Sequence, residues 1–148
     1  MNTNPEFSVS KVSRIFNAET FDMNDVYDFI SGTLAPVRVN DTVIASLKMV
    51  ADEVFTNVMS YAYEEGADKW VTFSICLEDK TVTMTFIDGG RQFDPLEVEA
   101  PDISLSADDR KIGGLGIHIV RSVMDDVSYL RDGDRNILTT RKKIKSGA

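Results

Sequence analysis

A single cysteine leaves this chain unable to close an internal disulfide or build a cysteine-rich zinc site. That residue, Cys76, alternates with apolar neighbours in a strand-like run and reads as a packed structural thiol, not a nucleophile. Histidine is equally scarce. His118 stands in no His–Cys or His–Ser arrangement for nucleophilic catalysis and reads as structural. No group of side chains has the spacing of a transition-metal site. Positive charge is short as well: 16 Lys and Arg face 24 Asp and Glu, a net charge of −8. A phosphate-binding face must be basic, so nucleic acid is excluded as a partner. The one dense basic run, Arg141-Lys142-Lys143, reads as a solvated strand end. No apolar run reaches the roughly 20 residues of a membrane span, and the N-terminus lacks the charged-then-apolar pattern of a signal peptide. The expectation is a cytoplasmic protein that contacts neither membrane nor nucleic acid.

What is present describes a globular chain: 43% hydrophobic and 27% charged residues over 148 positions, the size of one ordinary domain spanning 1–148. An alternating run at 7–12 predicts an edge strand. Thr20 is placed to cap a helix over about 21–32, which Pro36 follows. The clearest periodicity runs from about 40 to 63, where Val43, Ile44, Leu47, Val50, Ala51, Val54, Phe55, Val58, Met59 and Ala62 form one apolar stripe. Asn40 or Asp41 can cap its start, and Gly66 lies past its end. Two strands follow, apolar at Val71, Phe73, Ile75 and Leu77 and at Val82, Met84 and Phe86, with mainly threonine between. The short Glu78-Asp79-Lys80 connection makes them a hairpin. From Gly89 to about Ile112 no period survives, and a stretch that long inside a domain reads as a lid. A helix from near Gly114 and two last strands, near 127–131 and 136–144 and joined through Asp132-Gly133-Asp134, complete the chain.

Three groups of residues carry chemistry. Glu53 and Asn57 are one turn apart on the flank of the long helix's apolar stripe. An amide oxygen there is a hard ligand for Mg²⁺, with phosphate and water completing the shell, and the carboxylate can accept a proton from an attacking hydroxyl. Asp88, at the end of a buried strand, can accept a hydrogen bond from an exocyclic amine such as that of adenine, and Gly89-Gly90 allows close backbone approach or a sharp turn. Gly113-Gly114-Leu115-Gly116 opens a helix, whose free amides can cradle phosphate. No Gly-Lys-Ser/Thr follows, so this is not a Walker loop, and no strand directly precedes it, so it is not a dinucleotide fingerprint. Each group alone is an ordinary feature. Together and in this order they point to ATP.

The stretches Asp52-Glu53-Val54-Phe55-Thr56-Asn57, Ile87-Asp88-Gly89-Gly90-Arg91-Gln92-Phe93-Asp94-Pro95, Gly113-Gly114-Leu115-Gly116-Ile117-His118-Ile119-Val120-Arg121 and Met124-Asp125-Asp126-Val127 resemble the GHKL (Bergerat-fold) ATPases. Within that superfamily the chain looks most like the small bacterial anti-sigma-factor serine-protein kinases. The resemblance implies an α/β (α+β) two-layer sandwich, with a mixed, mainly antiparallel sheet covered on one face by helices. It implies ATP and Mg²⁺ as cofactors, Asn57 as the magnesium ligand and Glu53 as general base. Asp88 matches the adenine-reading acid and Gly90 its partner; Gly113, Gly114 and Gly116 match the phosphate-binding lid glycines. Phe93, Leu115 and Ile117 fall within the same cofactor-binding stretches, and Thr140, or Thr139 beside it, would help hold adenine. The partners implied are an anti-sigma-factor antagonist, which is phosphorylated, a sigma factor, and a second copy of the chain.

Two departures stand out. Tyr61 occupies a position, four after Asn57, that is often basic in the family, and Gln92 replaces a glycine found in many superfamily members. Loss of that cation leaves open a second reading, a nucleotide-gated binding module that switches a partner such as a phosphatase without phosphoryl transfer. The intact Glu53 favours the kinase.

Overall fold

The computed structural model describes residues 8–64, 66–97 and 114–144. Five strands form one sheet: β1 (Val9–Asn17), β2 (Trp70–Glu78), β3 (Thr81–Asp88), β4 (Asp126–Asp132) and β5 (Arg135–Lys143), in the order β1-β2-β3-β5-β4. Every pair of neighbours is antiparallel. Helices α1 (Met23–Leu34), α2 (Asp41–Asn57) and α3 (Gly114–Val123) supply the second layer. This is the two-layer α+β sandwich expected, with no parallel pair among the described strands.

Alternation decides which face of the sheet is covered. Val71, Phe73, Ile75 and Leu77 of β2 and Val82, Met84 and Phe86 of β3 are buried, while the threonines between them are only half-buried. Helix α2 lays Leu47, Val50, Ala51, Val54 and Phe55 against that apolar face. Phe55 is the hub, meeting Phe16, Phe73 and Phe86 edge-on at centroid separations of 5.5, 6.0 and 6.2 Å. Cys76 falls in the other phase of β2. It is half-buried on the threonine side, not in the core.

The element boundaries correct the sequence expectations in three places. Asp22, not Thr20, caps α1, accepting from Asn24 N at 2.9 Å. The Asn17 Oδ1 has already gathered the amides of Glu19 and Thr20 into a turn, which leaves the cap to the next acid along. Strand β1 runs to Asn17, well beyond the alternating stretch, and its pairing with β2 continues to that residue. The long helix keeps α geometry from Asp41 to Asn57, with Asn40 as its cap, and then widens into a π turn, Val58–Ala62. The two hairpins are as expected. Asp79 and Lys80 both take positive φ, at 51° and 61°, and Gly133 takes 59°, as tight antiparallel turns require.

The end of β3 is locked against the end of that π turn. Gly90 lies so close to Ala62 that an added Cβ would sit 2.2 Å from the Ala62 carbonyl oxygen. Arg91 N donates to that same oxygen at 2.7 Å. The Tyr63 hydroxyl donates to Trp70 O at 2.6 Å and accepts from Gly89 N at 2.8 Å, so the following loop is held from the sheet side too. Since the opposing atoms at Gly90 are backbone, they have nowhere to retreat. Gly90→Ala should therefore destabilise the fold by about 1–3 kcal/mol, measured by urea denaturation; an unchanged midpoint would show that this contact is not under constraint.

Candidate functional site

Beneath that junction lies a cleft of about 390 Å³, counted out to its open mouth and lined by Val54, Asn57, Phe86, Asp88, Phe93, Tyr129 and Asn136 among others. Its floor comes from the β3 and β5 ends of the sheet, one wall from α2, and the rim from the residues after Gly90.

Asp88 is the charged group of this cleft and is only 6% exposed. Its Oδ1 accepts from Gly90 N at 2.9 Å and from Asn136 Nδ2 at 2.9 Å. Oδ2 makes no hydrogen bond to any described residue. Burial pushes the carboxyl above its ordinary range, while the bonds from Asn136 and Gly90 and the charge of Arg131 pull it back. Asn136 faces Asp88 across the β3–β5 pair. Its amide also donates to Arg91 O at 2.7 Å and accepts from Phe93 N at 3.2 Å and from the Tyr129 hydroxyl. Arg131 Nη1 bridges Gly90 O at 2.8 Å and Asn136 Oδ1 at 3.2 Å. Two strands and the loop thus converge on one carboxylate.

Asn57 is 7% exposed, and its side chain has no hydrogen-bond partner among the described residues. A buried amide left unbonded is costly. The side chain stands in the wall of the Asp88 cleft. Glu53, one turn earlier, lines a second cleft of about 360 Å³ between α2 and α3, with Met49, Asp52 and Ile119. Desolvation and then the neighbouring Asp52 charge raise its pKa above the ordinary glutamate range. The helix therefore divides its two functional candidates between adjacent clefts, Asn57 with Asp88 and Glu53 beside α3. Among the described residues no group of three His, Cys, Asp or Glu could hold a metal. A divalent ion at Asn57 would draw its remaining ligands from phosphate and water.

The other expected residues divide. Phe93 lines the Asp88 cleft and stacks on Tyr61, with centroids 5.3 Å apart and planes at 22°. Gly90 meets the helix end, so its lack of a side chain serves the approach to Ala62. Gly114, Leu115 and Gly116 form the start of α3. Ile117 is buried in the core and lines neither cleft. Gly113 and the lid expected over much of 89–112, from residue 98 onward, lie outside the described residues. Arg121 of α3 donates to Leu96 O at 2.8 Å, joining the two ends of that segment. Thr140 lines neither cleft. It pairs with Met84, four residues back along β3 from Asp88, and its buried hydroxyl donates to Met84 O at 3.3 Å. Thr139, on the half-buried phase of β5, lines neither cleft. Asn136 stands beside Asp88 instead. Nothing local in the sequence marks it, and only the β3–β5 register brings it opposite Asp88. His118 is exposed, in keeping with a structural reading.

A family model described as a histidine kinase-like ATPase domain matches residues 16–142. The chain belongs to that family. Over 94 residues it is 30% identical to the serine/threonine-protein kinase BtrW of Bordetella bronchiseptica, a match covering 64% of this chain and 66% of that one. It is 25% identical over 116 residues to the serine-protein kinase RsbW of Listeria monocytogenes, covering 76% and 74%. Identity to the anti-sigma F factor of Bacillus subtilis is 33% over 85 residues, covering 57% and 58%. The match thus spans just under two thirds of the Bordetella kinase and over half of the Bacillus factor. A Mycobacterium tuberculosis structure of RsbU and RsbW domains superimposes with a TM-score of 0.67 at 13% identity, covering 95% of this chain and 34% of that one. At that identity it is the ATPase-family fold that is shared. No helix among the described residues is long and apolar enough to cross a membrane.

Because burial raises the Asp88 pKa, its negative charge works against folding. The stability it contributes is complete below the unfolded value of about 3.9 and is lost as pH rises through the higher folded value. Asp88→Asn keeps an oxygen for both Oδ1 donors and removes that charge. This variant should melt no lower than the parent at pH 7, with any gain shrinking on acidification; a marked drop in its thermal midpoint at pH 7 would contradict this account.

Proposed function

We propose that residues 1–148 act as one ATP-binding serine/threonine-protein kinase domain. In this reading the chain is an anti-sigma factor that binds a sigma factor and phosphorylates a small antagonist protein. The observation that carries the reading is the buried Asn57 amide, without a hydrogen-bond partner among the described residues, in the same cleft as Asp88 and one helical turn from a half-buried Glu53. The names of the relatives supply the pathway and the class of acceptor. The cytoplasm is the compartment where such partners would be met.

The donor set fits Mg·ATP. Asp88 Oδ2 offers an acceptor to the adenine amine and Phe93 a flat apolar wall beside it. Asn57 Oδ1 would take a position in the magnesium shell, and Gly113, Gly114, Leu115 and Gly116 would bring backbone amides to the phosphates. Ile117, below them, anchors that turn in the core. Bound Mg·ATP supplies the transferable γ-phosphoryl group and the charge neutralisation that its transfer needs. Glu53 would accept the proton of the attacking serine or threonine hydroxyl. Desolvation and Asp52 make it a stronger base than an exposed glutamate.

The second reading, a nucleotide-gated module without transfer, is favoured by one observation. Tyr61 stands where a cation is common in the family, and its ring packs on Phe93. A radiolabelled ATP assay on a candidate antagonist protein separates the two. Phosphoserine on the antagonist supports the kinase, and tight binding without label supports the module.

Glu53→Ala should retain Mg·ATP binding and lose about 10²–10⁴-fold in transfer rate, read by single-turnover labelling. Asn57→Ala should lose Mg·ATP affinity itself by calorimetry. Equal transfer by Glu53→Ala and the parent would remove Glu53 from the mechanism. The ionised base is lost as pH falls through its raised pKa, so the acid limb of the rate profile should lie above the ordinary glutamate range. Asp52→Asn, which removes the charge that raises it, should move that limb to lower pH; a limb that stays in place would rule out the Asp52 influence.

A further inference from the structure

Asn136 is 4% exposed and has its hydrogen-bonding capacity fully used. Nδ2 donates to Asp88 Oδ1 and to Arg91 O, at 2.9 and 2.7 Å. Oδ1 accepts from Phe93 N, Arg131 Nη1 and the Tyr129 hydroxyl. The amide cannot turn over. Reversed, its nitrogen would face three donors and its oxygen would face a carboxylate and a carbonyl.

That fixed orientation has a chemical consequence for Asp88. With Asn136 Nδ2 and Gly90 N both donating to it, Oδ1 is held as an acceptor and can carry no proton. Arg131, hydrogen-bonded to the Asn136 oxygen, adds positive charge behind the amide and favours the ionised carboxylate. The plane of the carboxyl is set by the two bonds at Oδ1, so the direction of Oδ2 is set with it. What remains for a ligand is one acceptor of defined position.

We infer that Asn136 is a positioning residue that sets nucleobase selectivity. It holds Asp88 so that Oδ2 accepts from a purine bearing an amine at C6 and repels one bearing a carbonyl there. The inference rests on the nucleotide-binding reading above and deepens it. Asn136 itself acts through Asp88. A buried acceptor left facing another acceptor is heavily penalised, which is how such sites reject a near-isosteric ligand.

The test is calorimetric titration of the full chain with Mg·ATP and with Mg·ITP, which carries a carbonyl in place of the ATP amine. The parent should prefer ATP strongly. Asn136→Asp, similar in shape but without the Nδ2 donor, should cut the ATP-over-ITP ratio by about tenfold or more. Tyr129→Phe keeps the ring and removes one donor that aims the amide, so it should lower the ratio less; it also serves if Asn136→Asp does not fold, which thermal melting without nucleotide would reveal. A merely structural Asn136 would weaken both nucleotides alike. An unchanged ratio in both variants, with the parent still preferring ATP, would overturn this inference and leave the nucleotide reading standing. A parent that binds neither nucleotide would overturn both.

Discussion

The backbone contact between Gly90 and Ala62 is the constraint on which the site depends. A sheet and the helix lying on it normally stand apart by the depth of two side-chain layers. Here the strand end and the helix end touch through backbone, with an amide of the loop donating to a carbonyl of the π turn. That contact closes one side of a wedge whose walls are β3 and α2. Asp88 lies two residues before it on the strand, and Asn57 lies five residues before it on the helix. Their facing positions follow from where the wedge is pinned.

Desolvation raises the pKa of both Asp88 and Glu53, and what differs is the company each keeps. Asp88 is enclosed, and the donors and guanidinium around it offset part of the rise that burial causes. Glu53 has a charged neighbour of its own sign and partial burial, so its affinity for a proton is enhanced. The difference arises from environment alone, as both side chains carry the same functional group.

Much of this was legible beforehand. The long apolar stripe of α2 and the two alternations of β2 and β3 identify helix, strands and covered face without ambiguity, because a period of 3.6 or 2 is a strong physical signal. Asp88 was visible as an acid ending a buried strand, and Asn57 as an amide one turn from Glu53. Asn136 was not, since nothing local distinguishes it from a turn residue until the β3–β5 register brings it opposite Asp88. Spacing along β5 does not reveal which residue shares a level with the site. Nor could spacing disclose that the two glycine-adjacent contacts, Trp70 on Gly89 and Ala62 on Gly90, are made by the protein itself.

The π turn bears on Tyr61 in a way that counting residues obscures. Position 61 was matched to a basic site because it falls four after Asn57, a step that returns to the same face of an α-helix. Between Val58 and Ala62 the hydrogen bonds span five residues instead, and the angular step per residue is smaller. The count is preserved and the compass bearing is not. Tyr61 meets Phe93 at the rim, and its carbonyl receives Arg91 Nε at 2.6 Å. A lysine written into position 61 would inherit that bearing, so sequence identity at this column and equivalence in space are different properties of the chain.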